Sequence, residues 1–344
     1  MAGRGAFEIG GITVAPGERA MVHLPLTALT TQTPMSVPVC VIHAKRDGPV
    51  LFLSAAVHGD ELTGVAICRR LLASKALAIG RGTLLVVPIV NAFGFIAHSR
   101  YLPDRRDLNR GFPGSTRGSL AAQLASLFLS EIVARSNYGI DLHSAAIHRS
   151  NLPQIRVDSH NADAFRLAEA FGAPIIVHSG LREGSLREAA LRKGVPVLVY
   201  EAGEGLRVDE LSVRVGMEGV LNVLGSLGMI RRRPKPRPPV LATSSRWVRA
   251  EESGLFRPFR DTGDHVAAGD RIGVVADPYG EHETDIRASC SGIIIGRANI
   301  PAVNQGDALF HIAKVDNASK LGAHYEELER KLGVEMMLDE DEII

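Results

Sequence analysis

Short apolar runs alternate with longer amphipathic segments between residues 49 and 228 of this 344-residue chain. Runs that are apolar at nearly every position predict strands that are covered on both faces. These runs are at residues 50–53, 83–90, 140–142, 174–177 and 195–200. Apolar residues at helical spacing predict helices over residues 61–72, 119–135 and 185–193, the second with Ser119 as its N-cap. The alternation predicts an α/β sheet with helices on both faces.

A basic, proline-rich segment follows this region. Residues 231–239 contain four prolines and five basic residues, which neither a helix nor a central strand accommodates. A stiff, solvated linker is favoured over a basic patch for RNA or acidic lipid. The predicted organisation is therefore a catalytic domain over residues 1–233 and a linker over residues 234–239.

Beyond the linker, short β segments with frequent glycine predict a small all-β domain over residues 240–316. The pattern resembles the barrel-sandwich of lipoyl and biotinyl carrier domains. The corresponding hairpin tip near residues 278–283 lacks the lysine that such carriers modify, so a structural or access-shaping role is expected. Residues 317–344 are predicted to form a helix and an acidic tail.

Composition narrows the class of protein. A net charge of +1 does not favour nucleic acid or an anionic membrane as a partner. Three scattered cysteines predict free thiols in a reducing compartment, not a disulfide framework. Without an apolar leader or a run of about 18 apolar residues, the expectation is a cytoplasmic protein. A homo-oligomer is left open.

The candidate chemistry begins at His58 and Glu61. An imidazole and a carboxylate three residues apart in one turn can reach the same ion, and His143 follows a later apolar strand. Two histidines and one glutamate with an open fourth position are typical of a catalytic zinc site. The pattern therefore predicts one zinc ion per chain and hydrolysis by metal-activated water, although Co²⁺ or Mn²⁺ could substitute. The other histidines have no ligand partner at useful spacing in the sequence.

Four motifs in this order resemble the succinylglutamate desuccinylase and aspartoacylase family. The motifs are His58-Gly59-Asp60-Glu61, a segment with Arg100 and later Asn109-Arg110, Asp141-Leu142-His143, and Tyr200-Glu201-Ala202. The resemblance implies a zinc carboxypeptidase-like fold with a mixed sheet. It also implies the metal ligands His58, Glu61 and His143.

The same resemblance implies the roles of the remaining residues. Arg100 would polarise the scissile carbonyl, while Asn109 and Arg110 would hold the substrate carboxylate. Glu201, at the end of a buried strand, would be the general base and acid, with Glu204 as its rival. A guanidinium suits both arginine roles, because it binds carboxylates bidentately and stabilises an oxyanion.

Residues 149–156 resemble a loop of bacterial deacylases in this family, which implies that they form a loop in which Arg149 and Asn151 read the substrate. Asp141 is expected either to orient His143 or to be structural, and His148 is a rival metal ligand. Together with these residues, the resemblance implies a zinc-dependent amidohydrolase that removes an acetyl or succinyl group from a small N-acyl amino acid. The alternatives are a metallocarboxypeptidase and a catalytically silent metal-binding protein.

Overall fold

The computed structural model describes residues 4–234 and 239–315. Within these ranges the strands are β1 (Phe7–Ile9), β2 (Ile12–Val14), β3 (Arg19–Ala28), β4 (Pro34–His43), β5 (Val50–Ala55), β6 (Thr83–Val87), β7 (Tyr138–His143), β8 (Arg149–Val157), β9 (Ile175–His178), β10 (Val197–Gly203), β11 (Val240–Arg249), β12 (Gly254–Pro258), β13 (His265–Val266), β14 (Arg271–Ala276), β15 (Glu283–Arg287), β16 (Gly292–Ala298), β17 (Ala302–Val303) and β18 (Ala308–Val315). The helices are α1 (Thr63–Ala73), α2 (Ala92–Ile96), α3 (Leu120–Glu131), α4 (Ala162–Phe171), α5 (Leu186–Arg192) and α6 (Glu210–Ser226). Single 3₁₀ turns span Leu108–Arg110 and Val133–Arg135.

A twelve-stranded sheet in the order β13-β16-β18-β11-β9-β8-β10-β7-β5-β6-β4-β3 organises the molecule. Its parallel centre is covered on both faces, as the alternating contacts of β5 show. Leu51 and Leu53 pack into the core beneath α1, α4 and α6, whereas Phe52 packs into the core beneath α3 and α5. The predicted mixed α/β fold with helices on both faces is confirmed.

The strands predicted at residues 50–53, 83–90, 140–142, 174–177 and 195–200 correspond to β5, β6, β7, β9 and β10. Ser119 also caps its helix, because its hydroxyl accepts the Ala122 amide. The loop predicted over residues 149–156 is wrong, since these residues form strand β8. The apolar strand pattern is absent here because Arg149, Asn151 and Arg156 of β8 line a polar cavity. Strand β8 pairs with β10, β16 and β9.

The segment after residue 239 continues the large sheet. The first residues of β11 pair with β9 in parallel, and the rest of β11 pairs with β18. Strand β16 pairs with the start of β8, which makes a second junction. A separate sheet of β15, β14, β12 and β17 encloses a third apolar core against these strands. Part of the predicted linker and the predicted helix and tail beyond residue 316 lie outside the described residues.

Two general expectations concern the cysteines and membrane association. Cys40, Cys68 and Cys290 are all free, and burial raises the pKa of the Cys68 thiol. That shift keeps Cys68 in its unreactive thiol form. No helix within residues 4–234 or 239–315 is long and apolar enough to cross a membrane.

Candidate active site

A tight turn after β5 carries the first two predicted ligands. The Glu61 amide donates to the His58 carbonyl across 3.2 Å, which closes the turn and directs both side chains inward. The backbone of α2 packs directly on this turn. A Cβ on Gly59 would lie 1.9 Å from the carbonyl carbon of Gly94, so only glycine permits this approach.

His58, Glu61 and His143 meet in a buried cluster. The Nδ1 atoms of His58 and His143 each lie 2.7 Å from a different oxygen of the Glu61 carboxylate. The two ring centroids are 5.0 Å apart, and all three side chains are at least 96% buried. The three predicted metal ligands therefore come together with their donor atoms facing one point.

The outer nitrogen of each imidazole contacts a second carboxylate. His143 Nε2 lies 2.7 Å from Asp141 Oδ2, and His58 Nε2 lies 3.0 Å from Asp107 Oδ1. A neutral imidazole can donate a proton from only one nitrogen, so both carboxylates of each ring are satisfied only by an imidazolium or by a metal at Nδ1. This Nδ1, Nδ1 and carboxylate donor set fits a zinc ion whose ligands are oriented by outer carboxylates.

The electrostatics of the cluster favour bound positive charge. Burial by itself would raise the pKa of Glu61, but the two imidazoles outweigh it and lower that pKa strongly. Burial would likewise lower the pKa of His143, but Asp141 and Glu61 raise it well above its usual value. The carboxylates of Glu61, Asp107 and Asp141 therefore stabilise positive charge in this cluster, either as protons on the imidazoles or as a metal cation.

Arg100 follows α2 and reaches the same cluster. Its Nη2 donates to Asp107 Oδ2 at 3.0 Å, and its Nη1 lies 3.4 Å from Glu61 Oε1. Asp107 therefore bridges Arg100 and His58, which gives Arg100 a defined position beside the ligands. This placement suits the predicted role in polarising a substrate carbonyl.

Asn109 and Arg110 lie on the 3₁₀ turn that follows Asp107. Asp107 Oδ1 accepts the Asn109 amide at 2.8 Å, and Asn109 Oδ1 accepts the Leu186 amide at 2.9 Å. Burial lowers the pKa of Arg110, although a guanidinium is not deprotonated in proteins.

Glu201 lies beside His143, because the two residues are register partners in the parallel strands β10 and β7. Asn151 Nδ2 donates to Glu201 Oε2 at 3.0 Å, and Arg156 Nη1 lies 3.8 Å from Glu201 Oε1. The rival Glu204 instead accepts the His148 amide and the Asn299 side chain. His148 is exposed and lies outside the ligand cluster.

The predicted metal-binding, catalytic and substrate-binding residues line one cavity of about 600 Å³. All nine predicted site residues line it: His58, Glu61, Arg100, Asn109, Arg110, His143, Arg149, Asn151 and Glu201. Sequence reasoning missed Arg156, Arg187 and Trp247, which also line this cavity. Arg156 lies in the segment 149–156, but no role was predicted for it, and Arg187 and Trp247 belong to no predicted motif.

A second group outside this cluster is Asp158, His160 and His178. Their ligand atoms lie within 4.8 Å of one another, a proximity that their spacing in the sequence did not indicate. The proximity arises because β9 places His178 beside the end of β8. The group is partly exposed, and Ser159 Oγ already contacts His178 Nδ1 at 2.7 Å.

The sequence of this chain is similar to that of known proteins over most of its length. The model of the succinylglutamate desuccinylase/aspartoacylase catalytic domain matches residues 47–227. N-alpha-acetyl-L-2,4-diaminobutyric acid deacetylase of Halomonas elongata is 29% identical over 296 residues, which cover 81% of this chain and 86% of that protein.

Two solved structures share the fold over most of both chains. A succinylglutamate desuccinylase/aspartoacylase from Rhodobacter sphaeroides has a TM-score of 0.78 at 25% identity and covers 87% of this chain and 96% of its own. The product-bound ectoine utilization protein EutE (DoeB) from Ruegeria pomeroyi has a TM-score of 0.78 at 27% identity, with 87% and 97% covered.

Proposed function

Because the chain belongs to the succinylglutamate desuccinylase/aspartoacylase family, we propose that it is a zinc-dependent amidohydrolase acting on small N-acyl amino acids. The observation that carries the proposal is the single cavity in which the His58–Glu61–His143 cluster meets Arg100 and Glu201. The relative from Halomonas elongata is named as a deacetylase of an N-acetylated amino acid, which supports the same reaction class.

The ligand cluster would hold one zinc ion through His58 Nδ1, His143 Nδ1 and the Glu61 carboxylate. Zinc bound there supplies Lewis acidity, which brings the pKa of water down to about 7 and polarises a carbonyl group. Asp107 and Asp141 keep the two imidazoles turned toward the ion through their Nε2 atoms.

Glu201 would take the proton from the attacking water and pass it to the nitrogen of the leaving amine. Asn151 and Arg156 hold this carboxylate at the cavity wall. Arg100 would donate a hydrogen bond to the carbonyl oxygen as negative charge develops on it.

The charge of the cavity selects an anionic substrate. Six arginines line it, against the carboxylates of Glu61, Asp141, Glu183 and Glu201. Asn109 and Arg110 would bind the α-carboxylate of the amino acid, because one guanidinium and one amide donor match its two oxygens. The substrate is therefore a small acidic molecule, which favours deacylation over the trimming of long peptides.

Substitution of Glu201 tests the proposed chemistry. We expect E201Q to keep bound zinc but to lose turnover of N-acetyl and N-succinyl amino acids by about 100-fold or more, since the proton acceptor is gone. Zinc content and amine release are measured together. E204Q is the matched control, because Glu204 does not line the cavity, and it should keep most of the activity.

The same assay includes unblocked dipeptides and a chelator. Amine release from dipeptides alone would favour a metallocarboxypeptidase. Zinc binding without release from any substrate would favour a silent metal-binding protein. Full activity of E201Q would refute the assignment of the base.

A further inference from the structure

Trp247 is a cavity residue that comes from the carboxyl-terminal part of the chain. It lies on β11, is 37% exposed, and lines the same cavity as the ligand cluster. It is also the one tryptophan in the sequence. The indole is therefore an aromatic wall that the family-matched region, residues 47–227, does not supply.

A row of register partners links Trp247 to the proposed base. Trp247 pairs with His311, His311 with Gly296, and Gly296 with Asn151, whose side chain donates to Glu201. Directly opposed residues on neighbouring strands project from the same face of a sheet. These register partners therefore form one continuous surface between Glu201 and the indole of Trp247.

His311 fixes the orientation of the indole. Its ring stacks on Trp247 with centroids 4.2 Å apart and planes 9° apart, and its Nε2 lies 2.8 Å from Ser245 Oγ. Burial, together with the nearby charge of Arg156, lowers the pKa of His311 to about 3, so the ring is neutral at physiological pH. A neutral ring behind the indole does not repel a cation placed over it.

Arg149 is that cation. Its Cζ lies 5.6 Å from the centroid of the Trp247 ring, within the range of a cation–π interaction. Within residues 4–234 and 239–315, no ion pair between Arg149 and a carboxylate is found, whereas Arg156 of the same strand is paired with Glu201. Its N–H donors therefore lie at the cavity without an ion-pair partner in the described part of the chain.

We propose that Trp247 is a positioning residue of the substrate cavity, which holds the Arg149 guanidinium in place to bind an anionic group of the substrate. The inference rests on the proposed function for the identity of that substrate. It gives the carboxyl-terminal segment a direct part in recognition: its strand supplies the platform on which a residue of β8 is oriented. Arg149 contacts the substrate, and Trp247 acts through Arg149.

Tryptophan emission tests the contact without any need for turnover. The zinc-loaded full-length protein is titrated with succinate, a small dicarboxylate, with acetate as the comparison. We expect a saturable change in tryptophan emission with succinate. The dissociation constant of succinate should be at least about tenfold larger in R149Q, because the charged donors of Arg149 are lost. R257Q is the matched control, since Arg257 makes the same type of contact with Phe259 away from this cavity.

A double-mutant cycle then tests whether Trp247 acts through Arg149. On the best acylated substrate, W247L should raise KM by about fivefold to tenfold with kcat within about twofold, and W247F should restore most of the loss. The double variant W247L/R149Q should be no worse than R149Q, because the two residues form one unit.

Several outcomes would overturn the inference. Among these are an emission change that R149Q leaves intact, the absence of any change with succinate, and additive effects of the two substitutions. A protein that passes the titration but hydrolyses no acylated amino acid would refute the proposed function and leave this inference standing. Hydrolysis with unchanged KM in W247L would refute the inference alone.

Discussion

Individual carboxylates decide how the two imidazoles face the centre of the cluster. Asp141 contacts His143 Nε2 and in turn accepts the Ser54 hydroxyl at 2.7 Å, so both of its oxygens are engaged. Asp107 holds His58 in the same way and also binds Arg100. With a metal at Nδ1, each ring would donate from Nε2 to its carboxylate, which fixes the orientation of the ring.

Replacement of Asp141 should weaken the metal site without removing a ligand. We expect D141N to bind zinc about 10- to 100-fold more weakly, because an amide holds His143 in its tautomer less firmly than a carboxylate. Competition against a chelating indicator measures the dissociation constant. D163N changes a surface carboxylate in the first turn of α4 and should bind zinc as tightly as the parent protein. Equal affinities in both variants would contradict the orienting role.

At the scale of elements, an ion-pair network joins two helices on the same face of the sheet. Arg70 of α1 binds the Glu210 carboxylate through two contacts of 2.7 and 2.6 Å, and Arg214 of α6 adds a third at 2.8 Å. The Arg70 hydrogen bonds, aided by Arg214, lower the pKa of Glu210 from 4.5 to about 2. The network therefore ties the helix after the His58 turn to the helix after Glu201.

This pKa shift predicts a pH-dependent contribution to stability. Because the folded-state pKa is depressed, the contribution is complete above about pH 4.5 and is lost as the pH falls toward 2. We expect E210Q to lower the free energy of unfolding by about 1 kcal/mol at neutral pH, a value reduced for partial exposure, and to match the parent protein near pH 2. Urea unfolding at several pH values measures the difference.

E169Q provides the comparison, because Glu169 is exposed on α4. It should leave the free energy of unfolding nearly unchanged across the same range. A constant gap between E210Q and the parent protein from pH 7 to pH 2 would show that the network is not the source.

At the scale of the whole molecule, one sheet runs through both parts of the chain. Strand β16 lies directly beside the start of β8, with Gly296 opposite Asn151. A Cβ on Gly296 would lie 2.9 Å from Asn151 Oδ1 and 3.4 Å from His311 Cβ. The β8–β16 pairing, which joins the two parts of the chain, therefore includes Asn151, whose side chain holds Glu201. This pairing is called the seam below.

Substitution at this seam should affect catalysis from a distance. We expect G296A to lower kcat by about fivefold to tenfold, because a shifted Asn151 no longer orients Glu201. G80A is the control: the nearest atom to its added Cβ is a backbone oxygen at 3.8 Å, and Gly80 is exposed. Steady-state kinetics and thermal unfolding together separate a catalytic effect from a loss of stability. Normal kcat in a folded G296A would contradict the coupling.

Much of the fold could be predicted, because central strands that are buried on both faces carry an unmistakable apolar pattern. Strand β6, residues Thr83–Val87, is buried at every position and was predicted from that pattern. Strand β8 was not, since it brings Arg149, Asn151 and Arg156 to a polar cavity and thereby loses the pattern. Sites that bind polar ligands obscure the local signal of the strands that build them.

The sequence alone determined the candidate ligands, because His58 and Glu61 are close in the chain and their spacing has chemical meaning. It also determined the layered α/β class, since hydrophobic periodicity follows directly from which faces are buried. Only the tertiary structure decided that Trp247 reaches the same cavity as His58, 189 positions earlier in the chain. Contacts between distant residues depend on the order of strands in the sheet, and local periodicity carries no record of that order.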